Sequence, residues 1–325
     1  MKILIRLPTW LGDTLMATPF LQFLKTKYTH ADFTLVGSYI SLEVLKRDFE
    51  GANFILDESK KSSFRLFALY KLAKQIGSHD ISFSLQNNFL SALFLFFSNS
   101  NIRIGYANEG RSFLLTHALK NLKSAHQVQR YFHLLSPISD SLPPIPPLFL
   151  SHANTPPIFP NLKCVGINTG GAFGSAKRWS EEHFSTLAKL LLQEGYGVIF
   201  FGGKEDVEAN QKIILSLKNN SNLLDLSGKT SLESLIDSIA TLDLFISNDS
   251  GPMHIAAALQ IPIIALFGST DSTETSPWLT KKAILLSLNL PCSPCKKRIC
   301  PLKHHACMEN LKPEEVFKEV QKILQ

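Results

Sequence analysis

The segment that most constrains the fold lies in the second half of the chain, at residues 244–271. An apolar run is followed by a turn at residues 248–252, a helical pattern at 253–259, a break at Pro262 and a second apolar run. This order predicts a strand, a tight turn, a short helix and another strand, which is the crossover that a parallel sheet requires. In open sheets of this kind, ligands bind at the carboxyl ends of the strands.

The turn between this strand and its helix is suited to an anion. Ser250 is a good N-cap, Gly251 lets the backbone approach a ligand closely, and the following proline has no N–H to leave unpaired. Helix N-termini bind phosphate, so Asp249, Ser250 and Gly251 are candidate donor-site residues. His254 lies one turn further along, and its side chain leans back toward the same place. The alternative is a well-capped core helix with a surface Asp and a surface His.

Length and composition are those of a globular α/β protein with two domains. A chain of 325 residues is long for one core, and 45 % apolar with 18 % charged residues favours a folded, soluble protein. The most apolar run, residues 89–97, is too short to cross a bilayer, and we interpret it as a buried helix, with contact to a membrane surface as the alternative. The N-terminus lacks a long apolar region and a cleavage site, so we expect a cytoplasmic protein.

The first half alternates strands with helices and contains one isolated candidate catalytic acid. Strands are predicted at 2–7, 33–37, 53–56, 81–85 and 103–106, and helices at 14–27, 41–48, 63–76 and 89–97, which is the rhythm of a parallel sheet. Asp13 lies where the first loop becomes a helix, near Trp10 and Gly12. Burial would suit this carboxylate to proton abstraction. The simpler interpretation is that Asp13 caps a helix beginning at Thr14.

Charge is distributed unevenly between the two halves. Residues 1–150 contain 16 Lys and Arg against 10 Asp and Glu, a net of +6, whereas residues 151–325 contain 17 of each. A basic first half suggests an anionic partner, and Arg103, Arg111 and Arg130, together with Trp10, are weak candidates for contacting it. They can equally be solvated surface residues. The sequence has no dense basic stripe and no known nucleic-acid motif, so nucleic acid is not expected.

The second half begins after a Pro-rich segment with another glycine-rich loop. A strand at 163–168 is followed by Thr169, Gly170 and Gly171, then by Ser175 and Lys177, which together predict a second phosphate site. The spacing fits neither a P-loop nor a dinucleotide fingerprint. Glu205 follows a strand at 198–201, where an acid can accept ribose hydroxyls or simply begin the next helix. These features together favour a nucleotide diphosphate ligand.

Four cysteines lie close together near the C-terminus: Cys292, Cys295, Cys300 and Cys307. Clustered cysteines in a cytosolic protein favour a metal over disulfides. Their intervals match no standard zinc module, so a structural zinc and free thiols both stay open.

The chain resembles the bacterial ADP-heptose:lipopolysaccharide heptosyltransferases, glycosyltransferase family 9, over nearly its whole length. The resemblance rests on four blocks, which have the sequences RLPTWLGD (6–13), GSAKRW (174–179), NDSGPMH (248–254) and FGSTD (267–271). The AKRW block and the Cys-rich tail are most similar to the heptosyltransferase II branch, which adds the second heptose. The resemblance implies the GT-B fold, with two Rossmann-like domains whose parallel sheets face each other across a cleft.

The resemblance also implies a domain plan and roles for individual residues. Residues 1–150 would bind the acceptor, 151–160 would be a linker, 161–311 would bind the nucleotide sugar, and 312–325 would form a helix packing back toward the first domain. Asp13 would be the single base of an inverting transfer, Lys177 would neutralise the pyrophosphate, and Glu205 would bind the ribose. Asp249, Ser250, Gly251 and His254 would hold the phosphate and the heptose.

The partners implied are ADP-heptose and an anionic lipid A-core acceptor at the membrane surface. The enzyme would therefore act at the inner face of the inner membrane as a peripheral protein. We expect a monomer that needs no cofactor for catalysis. Heptosyltransferase I, a GT-B nucleotide-sugar epimerase and a non-catalytic nucleotide-sugar-binding protein are the alternatives.

Overall fold

The first of two units carries a parallel sheet. The computed structural model describes residues 1–217 and 220–324, and the chain divides into Met1–Leu150 and Ser151–Gln325. The strands of the first unit lie in the order β3-β2-β1-β4-β5-β6, and every pairing is parallel. Their bounds are β1 Lys2–Arg6, β2 Asp32–Gly37, β3 Asn53–Leu56, β4 Ile81–Ser84, β5 Ile102–Tyr106 and β6 His117–Leu119. The continuous apolar runs that predicted the central strands are buried, as expected for a sheet covered on both faces.

The helices of the first unit are α1 Leu11–Met16, α2 Thr18–Lys27, α3 Tyr39–Glu43, α4 Arg65–Ile76, α5 Phe89–Phe97 and α6 Gln127–His133. The prediction of one helix over 14–27 was wrong, because helix α1 begins at Leu11 and α2 is a separate helix whose first turn contains Pro19. Proline is accommodated in a first helical turn, where its missing N–H costs nothing. Helix α5 was predicted to be buried, but only one of its faces is: Phe94 and Leu95 are buried, whereas Phe96 is 47 % exposed.

The second unit repeats the topology of the first. Its sheet has the order β12-β11-β10-β7-β8-β9, again with every pairing parallel. The strands are β7 Cys164–Asn168, β8 Gly197–Phe201, β9 Leu223–Asp225, β10 Leu244–Asn248, β11 Ile263–Leu266 and β12 Ala283–Leu286. The sequence-derived interpretation of 244–271 as strand, turn, helix and strand is confirmed.

The helices of the second unit are α7 Glu181–Gln193, α8 Val207–Ser216, α9 Leu232–Ala240, α10 Gly251–Ala258, α11 Ser272–Thr275, α12 Ala306–Glu309 and α13 Pro313–Leu324. Helix α13 packs on α7, β10 and β11, and its apolar residues Val316 and Val320 belong to the core of the second unit. The expectation that the last helix also packs back toward the first domain stays a prediction. The amphipathic pattern predicted a buried face but could not specify which core it joins.

The four clustered cysteines are free thiols. They lie near enough to one another that Cys292, Cys295 and Cys300 help to raise the pKa of Cys307, although burial is the larger cause. Among residues 1–217 and 220–324, no group of three or more His, Cys, Asp or Glu side chains is arranged to hold a metal ion. None of the described helices combines the length and the apolarity needed to cross a bilayer.

Candidate active site

Each sheet has a position at which the strand order reverses. In the first sheet β1 pairs with both β2 and β4, and in the second β7 pairs with both β8 and β10. Loops leaving two such neighbouring strands diverge, which opens a crevice at their carboxyl ends. Asp13 follows β1, and the predicted phosphate loops follow β7 and β10. The candidate residues therefore lie at the place in each unit where this fold binds ligands.

The start of helix α10 is built largely as predicted. The Ser250 hydroxyl accepts a hydrogen bond from the Met253 N–H at 3.4 Å, and Pro252 occupies the first turn. Because Ser250 uses the Met253 amide and Pro252 has none, only Gly251 among the first three helical residues keeps an N–H for a ligand. His254 is buried in this first turn, with 3 % of its surface exposed. The helix offers an anion fewer amides than the sequence suggested.

Two asparagines that the sequence analysis did not select join the loops after β7 and β10. The Asn168 side chain donates to the Ser250 hydroxyl at 3.2 Å. The Asn248 side chain donates to the Thr169 carbonyl at 2.9 Å and accepts from the Trp179 N–H at 3.0 Å. Each asparagine is the last residue of its strand, which is the only signal in the sequence for this role. Their hydrogen bonds fix both loops in one arrangement.

Lys177 and Asp249 form the electrostatic centre of the second crevice. Lys177 ends a short 3-10 helix, Ser175–Lys177, and is only 8 % exposed, with its Nζ 5.6 Å from the centre of the Phe173 ring. A Cβ on Gly171 would lie 3.1 Å from the Lys177 Cε, so the glycine makes room for this side chain. Burial raises the pKa of Asp249, and the Lys177 charge partly opposes that shift. A buried cation beside a helix start is suited to a diphosphate.

The acid that touches the glycine-rich loop is Asp206, not its neighbour. Glu205 is exposed, whereas Asp206 is 4 % exposed, accepts the Gly203 N–H at 3.0 Å and forms an ion pair with Arg178 at 3.3 Å. A Cβ on Gly170 would lie 2.3 Å from an Asp206 carboxylate oxygen, so only glycine fits there. Burial raises the pKa of Asp206. The assignment of Glu205 to a ribose stays a prediction.

A cavity of about 240 Å³ opens beside the same loop and is lined in part by Thr169, Ser175, Arg178 and His305. The Thr169 hydroxyl donates to the Asn210 side chain at 2.6 Å, so this predicted ligand-binding residue also has a structural role. His305, which the sequence analysis did not select, contacts the Ala176 carbonyl at 2.9 Å through its Nε2. The cavity brings Thr169 and Ser175 together, as the glycine-rich motif predicted.

In the first unit, Asp13 lies within the first turn of α1. The helix begins at Leu11, its N-cap residue Trp10 makes no side-chain capping bond, and the Asp13 side chain is partly exposed. Interpreting Asp13 as the N-cap of a helix beginning at Thr14 was therefore wrong. A carboxylate in a first helical turn is stabilised by the helix dipole.

The loop that leads to Asp13 is held by hydrogen bonds to three of its carbonyls. Ser41 donates to the Pro8 carbonyl at 2.6 Å, Ser38 to that of Thr9 at 2.9 Å, and Gln86 to that of Leu7 at 2.7 Å. The donors come from the segments after β2 and β4, so neighbouring strands position the loop. Trp10, at its end, is 57 % exposed and available to a ligand.

Tyr131 on helix α6 contacts the Asp13 carboxylate. Its hydroxyl hydrogen bonds to Asp13, and the Gln127 side chain bonds to the same hydroxyl. Burial raises the pKa of Tyr131 well above its usual value, and the negative charge of Asp13 raises it further. The phenol therefore stays protonated and acts as a fixed donor to the carboxylate. No local sequence pattern indicates this contact, because the two residues are far apart in the chain.

The three predicted acceptor arginines have different surroundings. Arg111 is buried, donates from its Nε to the Tyr106 carbonyl at 2.6 Å, and bonds to Asn87, which also accepts from Asn108 at 2.9 Å. This cluster lies beyond the carboxyl ends of β4 and β5, and the exposed Asn87 is its accessible member.

The other two arginines bind the main chain. Arg103, the second residue of β5, donates to the carbonyls of Leu114 and Ser100 at 2.9 and 2.7 Å. Arg130 donates to the Leu122 carbonyl at 3.2 Å. Arg111 thus lies among the loops beyond the carboxyl ends of β4 and β5, and Arg130 lies close enough to Tyr131, the partner of Asp13, for its charge to lower the pKa of that phenol.

The sequence as a whole matches one protein family. The model of glycosyltransferase family 9 (heptosyltransferase) matches residues 69–306. The chain belongs to glycosyltransferase family 9. It is 36 % identical to the lipooligosaccharide heptosyltransferase 2 of Campylobacter jejuni serotype O:2, over the whole chain and 98 % of that protein. It is 30 % identical to the lipopolysaccharide heptosyltransferase 2 of Escherichia coli K12, over the whole chain and 99 % of that protein.

Solved structures agree with this family assignment. The structure of E. coli ADP-heptose LPS heptosyltransferase II superposes with a TM-score of 0.82 at 28 % identity, covering 100 % of this chain and 98 % of that one. A family 9 glycosyltransferase from Veillonella parvula superposes with a TM-score of 0.85 at 23 % identity, covering 99 % and 97 %, which supports the fold. The predicted family, the predicted α/β fold with two parallel-sheet domains and the predicted glycosyltransferase activity are confirmed.

Proposed function

We propose that this family 9 enzyme transfers heptose from ADP-heptose to the heptose of a lipopolysaccharide or lipooligosaccharide inner core. The full-length relatives named heptosyltransferase 2 favour addition of the second heptose over addition of the first. The acceptor is then anionic and carried on lipid A, so the enzyme works as a peripheral protein at the inner face of the inner membrane. We expect it to act as a monomer in the cytoplasm.

The observation that carries the mechanism is the position of Asp13. Its carboxylate follows β1 in the first helical turn, is not used as a cap, and is oriented by the Tyr131 hydroxyl. Asp13 takes the proton of the acceptor hydroxyl as that oxygen attacks the anomeric carbon from the face opposite the diphosphate. The bond between the anomeric carbon and the diphosphate breaks, and the configuration inverts. One base is sufficient for this reaction.

The second unit supplies the stabilisation of the leaving group. Lys177 and the Gly251 amide bind the charge that develops on the departing ADP, and Asp249 holds the ammonium in place. Thr169, Gly170, Gly171 and Ser175 surround the diphosphate, Glu205 or Asp206 meets the ribose, and His254 contacts the phosphate or the heptose. We assign no cofactor to the reaction, because these groups carry the charge.

The test is the Asp13→Asn variant, assayed with ADP-heptose and purified core acceptors by mass spectrometry. Loss of a general base costs roughly 10²- to 10⁴-fold in turnover, and ADP binding measured by calorimetry should stay unchanged. Asp32→Asn, at an exposed position in the same unit, is the matched control and should keep full activity. Full transfer by Asp13→Asn would exclude the base assignment. Formation of an epimerised ADP-sugar without transfer would exclude the reaction itself.

A further inference from the structure

One face of the first unit exposes an unusual number of large apolar side chains. Helix α4 buries Leu69 and Ala73 in the core of the unit, yet its other side is also apolar. We call the exposed set the α4–α5 patch; it consists of Phe64 at 78 %, Phe67 at 68 %, Leu66 at 54 %, Phe96 at 47 % and Tyr70 at 42 % exposure. A helix normally exposes polar residues opposite its buried face, so the exposed Leu66, Phe67 and Tyr70 of α4 are unusual. Exposed patches of this kind mark interaction sites.

The members of the patch form one continuous surface. Tyr70 packs edge-on against Phe97, with ring centres 5.1 Å apart, and Phe97 in turn contacts Phe96 at 6.3 Å. A shallow groove of about 570 Å³ is lined by residues 63–67 together with Tyr70 and Phe97. The patch therefore joins helices α4 and α5 rather than consisting of scattered surface residues.

Cations outnumber acids around the patch, although Asp57, Glu58 and Glu109 border it in the sequence and Glu58 forms an ion pair with Lys61 at 2.8 Å. Residues 59–108 contain six Lys and Arg but a single acid, Asp80. The Lys74 Nζ lies 5.7 Å from the Tyr70 ring centre, and the Arg103 guanidinium carbon lies 5.7 Å from that of Phe96. When the bordering acids are included, residues 57–109 contain six Lys and Arg against four Asp and Glu, a net charge of +2. Cations therefore border the apolar surface directly at Lys74 and Arg103.

We propose that the α4–α5 patch docks on the surface of a bilayer that contains anionic phospholipids. Aromatic and leucine side chains enter the boundary between headgroups and acyl chains, and Lys and Arg around them attract anionic headgroups. A second copy of the chain fits this face less well, because a two-fold interface would bring the same cations together. The choice of a bilayer rests in part on the proposed function, whose acceptor is carried on lipid.

The test is co-sedimentation of the full chain with vesicles that contain neither acceptor nor sugar nucleotide. Binding to phosphatidylethanolamine with phosphatidylglycerol should exceed binding to phosphatidylcholine at least tenfold and should fall as salt is raised. Phe64→Ser with Phe67→Ser should reduce binding at least tenfold. The matched control is Leu215→Ser with Ile299→Ser, at positions 81 % and 74 % exposed in the second unit, and it should bind like the wild type.

Charge-reversal variants distinguish electrostatic attraction from non-specific hydrophobic binding. Lys71→Glu with Lys74→Glu should weaken binding to the anionic vesicles, whereas Lys189→Glu with Lys318→Glu, also exposed, should weaken it less. Equal binding by the patch variants and their controls would overturn the proposal. So would wild-type binding that is independent of phosphatidylglycerol, or a wild-type dimer that the Phe64 and Phe67 changes convert to monomer.

The outcome is independent of the transfer reaction. With a delipidated, soluble core oligosaccharide as acceptor, the Phe64 and Phe67 variant should keep wild-type turnover, since neither residue belongs to the candidate site. Vesicle binding without any transfer would remove the proposed function and leave the docking surface standing. Transfer without vesicle binding would support the proposed function and exclude the docking surface.

Discussion

Replacing Lys177 by methionine tests the electrostatic centre of the second unit most directly. Methionine keeps most of the apolar stem of the side chain, so the main loss is the ammonium charge. Lys177 is 8 % exposed, so this charge belongs to a buried residue. A charge-assisted contact of this kind contributes about 1.5 to 3 kcal/mol. The dissociation constant for ADP should therefore rise roughly 10- to 150-fold.

The same change leaves the Asp249 carboxylate buried without its cation. Burial already raises the pKa of Asp249 and the Lys177 charge opposes that rise, so loss of the ammonium should destabilise the fold, and protonation of Asp249 should relieve part of the loss. The double variant Lys177→Met with Asp249→Asn should regain much of the lost stability but none of the lost ADP affinity. Stability and binding are thereby separated.

The assays are calorimetric titration with ADP and urea unfolding followed by Trp fluorescence, to which the buried Trp179 contributes. Lys189→Met, an identical change at an exposed position on α7, is the control and should alter neither quantity. An ADP affinity within twofold of wild type in Lys177→Met would refute the reasoning. So would a double variant that binds ADP normally, because the lysine would then serve only to neutralise Asp249.

Two further predictions concern residues that the sequence analysis did not select. Tyr131→Phe removes the hydrogen-bond donor to Asp13 and should lower kcat about tenfold, the value of one hydrogen bond, while the KM for ADP-heptose stays unchanged. The control Tyr28→Phe should have no effect. A change in KM alone would contradict the positioning role. The folded-state pKa of Asp206 is raised, so its contribution to stability is present at low pH and is lost as the pH rises through that pKa. In urea unfolding, the stability of Asp206→Asn relative to wild type should therefore increase from acid to neutral pH, and a constant difference would contradict the buried-acid assignment.

The sequence predicted the sheets well because a strand buried on both faces needs a continuous apolar run. The bounds of β3 are those predicted, and the other predicted strands differ from the observed ones by one residue at one end. Helix ends were predicted less well. Helix α1 begins at Leu11, in a segment with a tryptophan, a glycine and no strong cap, where main-chain bonds such as that from Thr14 to the Trp10 carbonyl decide the start.

The parts of the candidate site that a single segment forms were predicted from the sequence. The contacts between distant segments were not predicted. Ser250 caps α10 because all the required residues are consecutive. Glu205 and Asp206 are adjacent acids, and only the turn that buries one of them separates their roles. Tyr131 reaches Asp13 from a helix more than a hundred positions later, and no local pattern encodes such a contact.

The repeated strand order determines where the sequence of this protein can gain or lose residues during evolution. In both halves the crevice lies between the first and fourth strands, so two connections at the centre of each sheet carry the chemistry. The outermost strands, β3 and β6 in one half and β9 and β12 in the other, lie furthest from these connections. Insertions and deletions at the sheet margins should therefore be tolerated, whereas the central connections should keep their length because they bind the substrates.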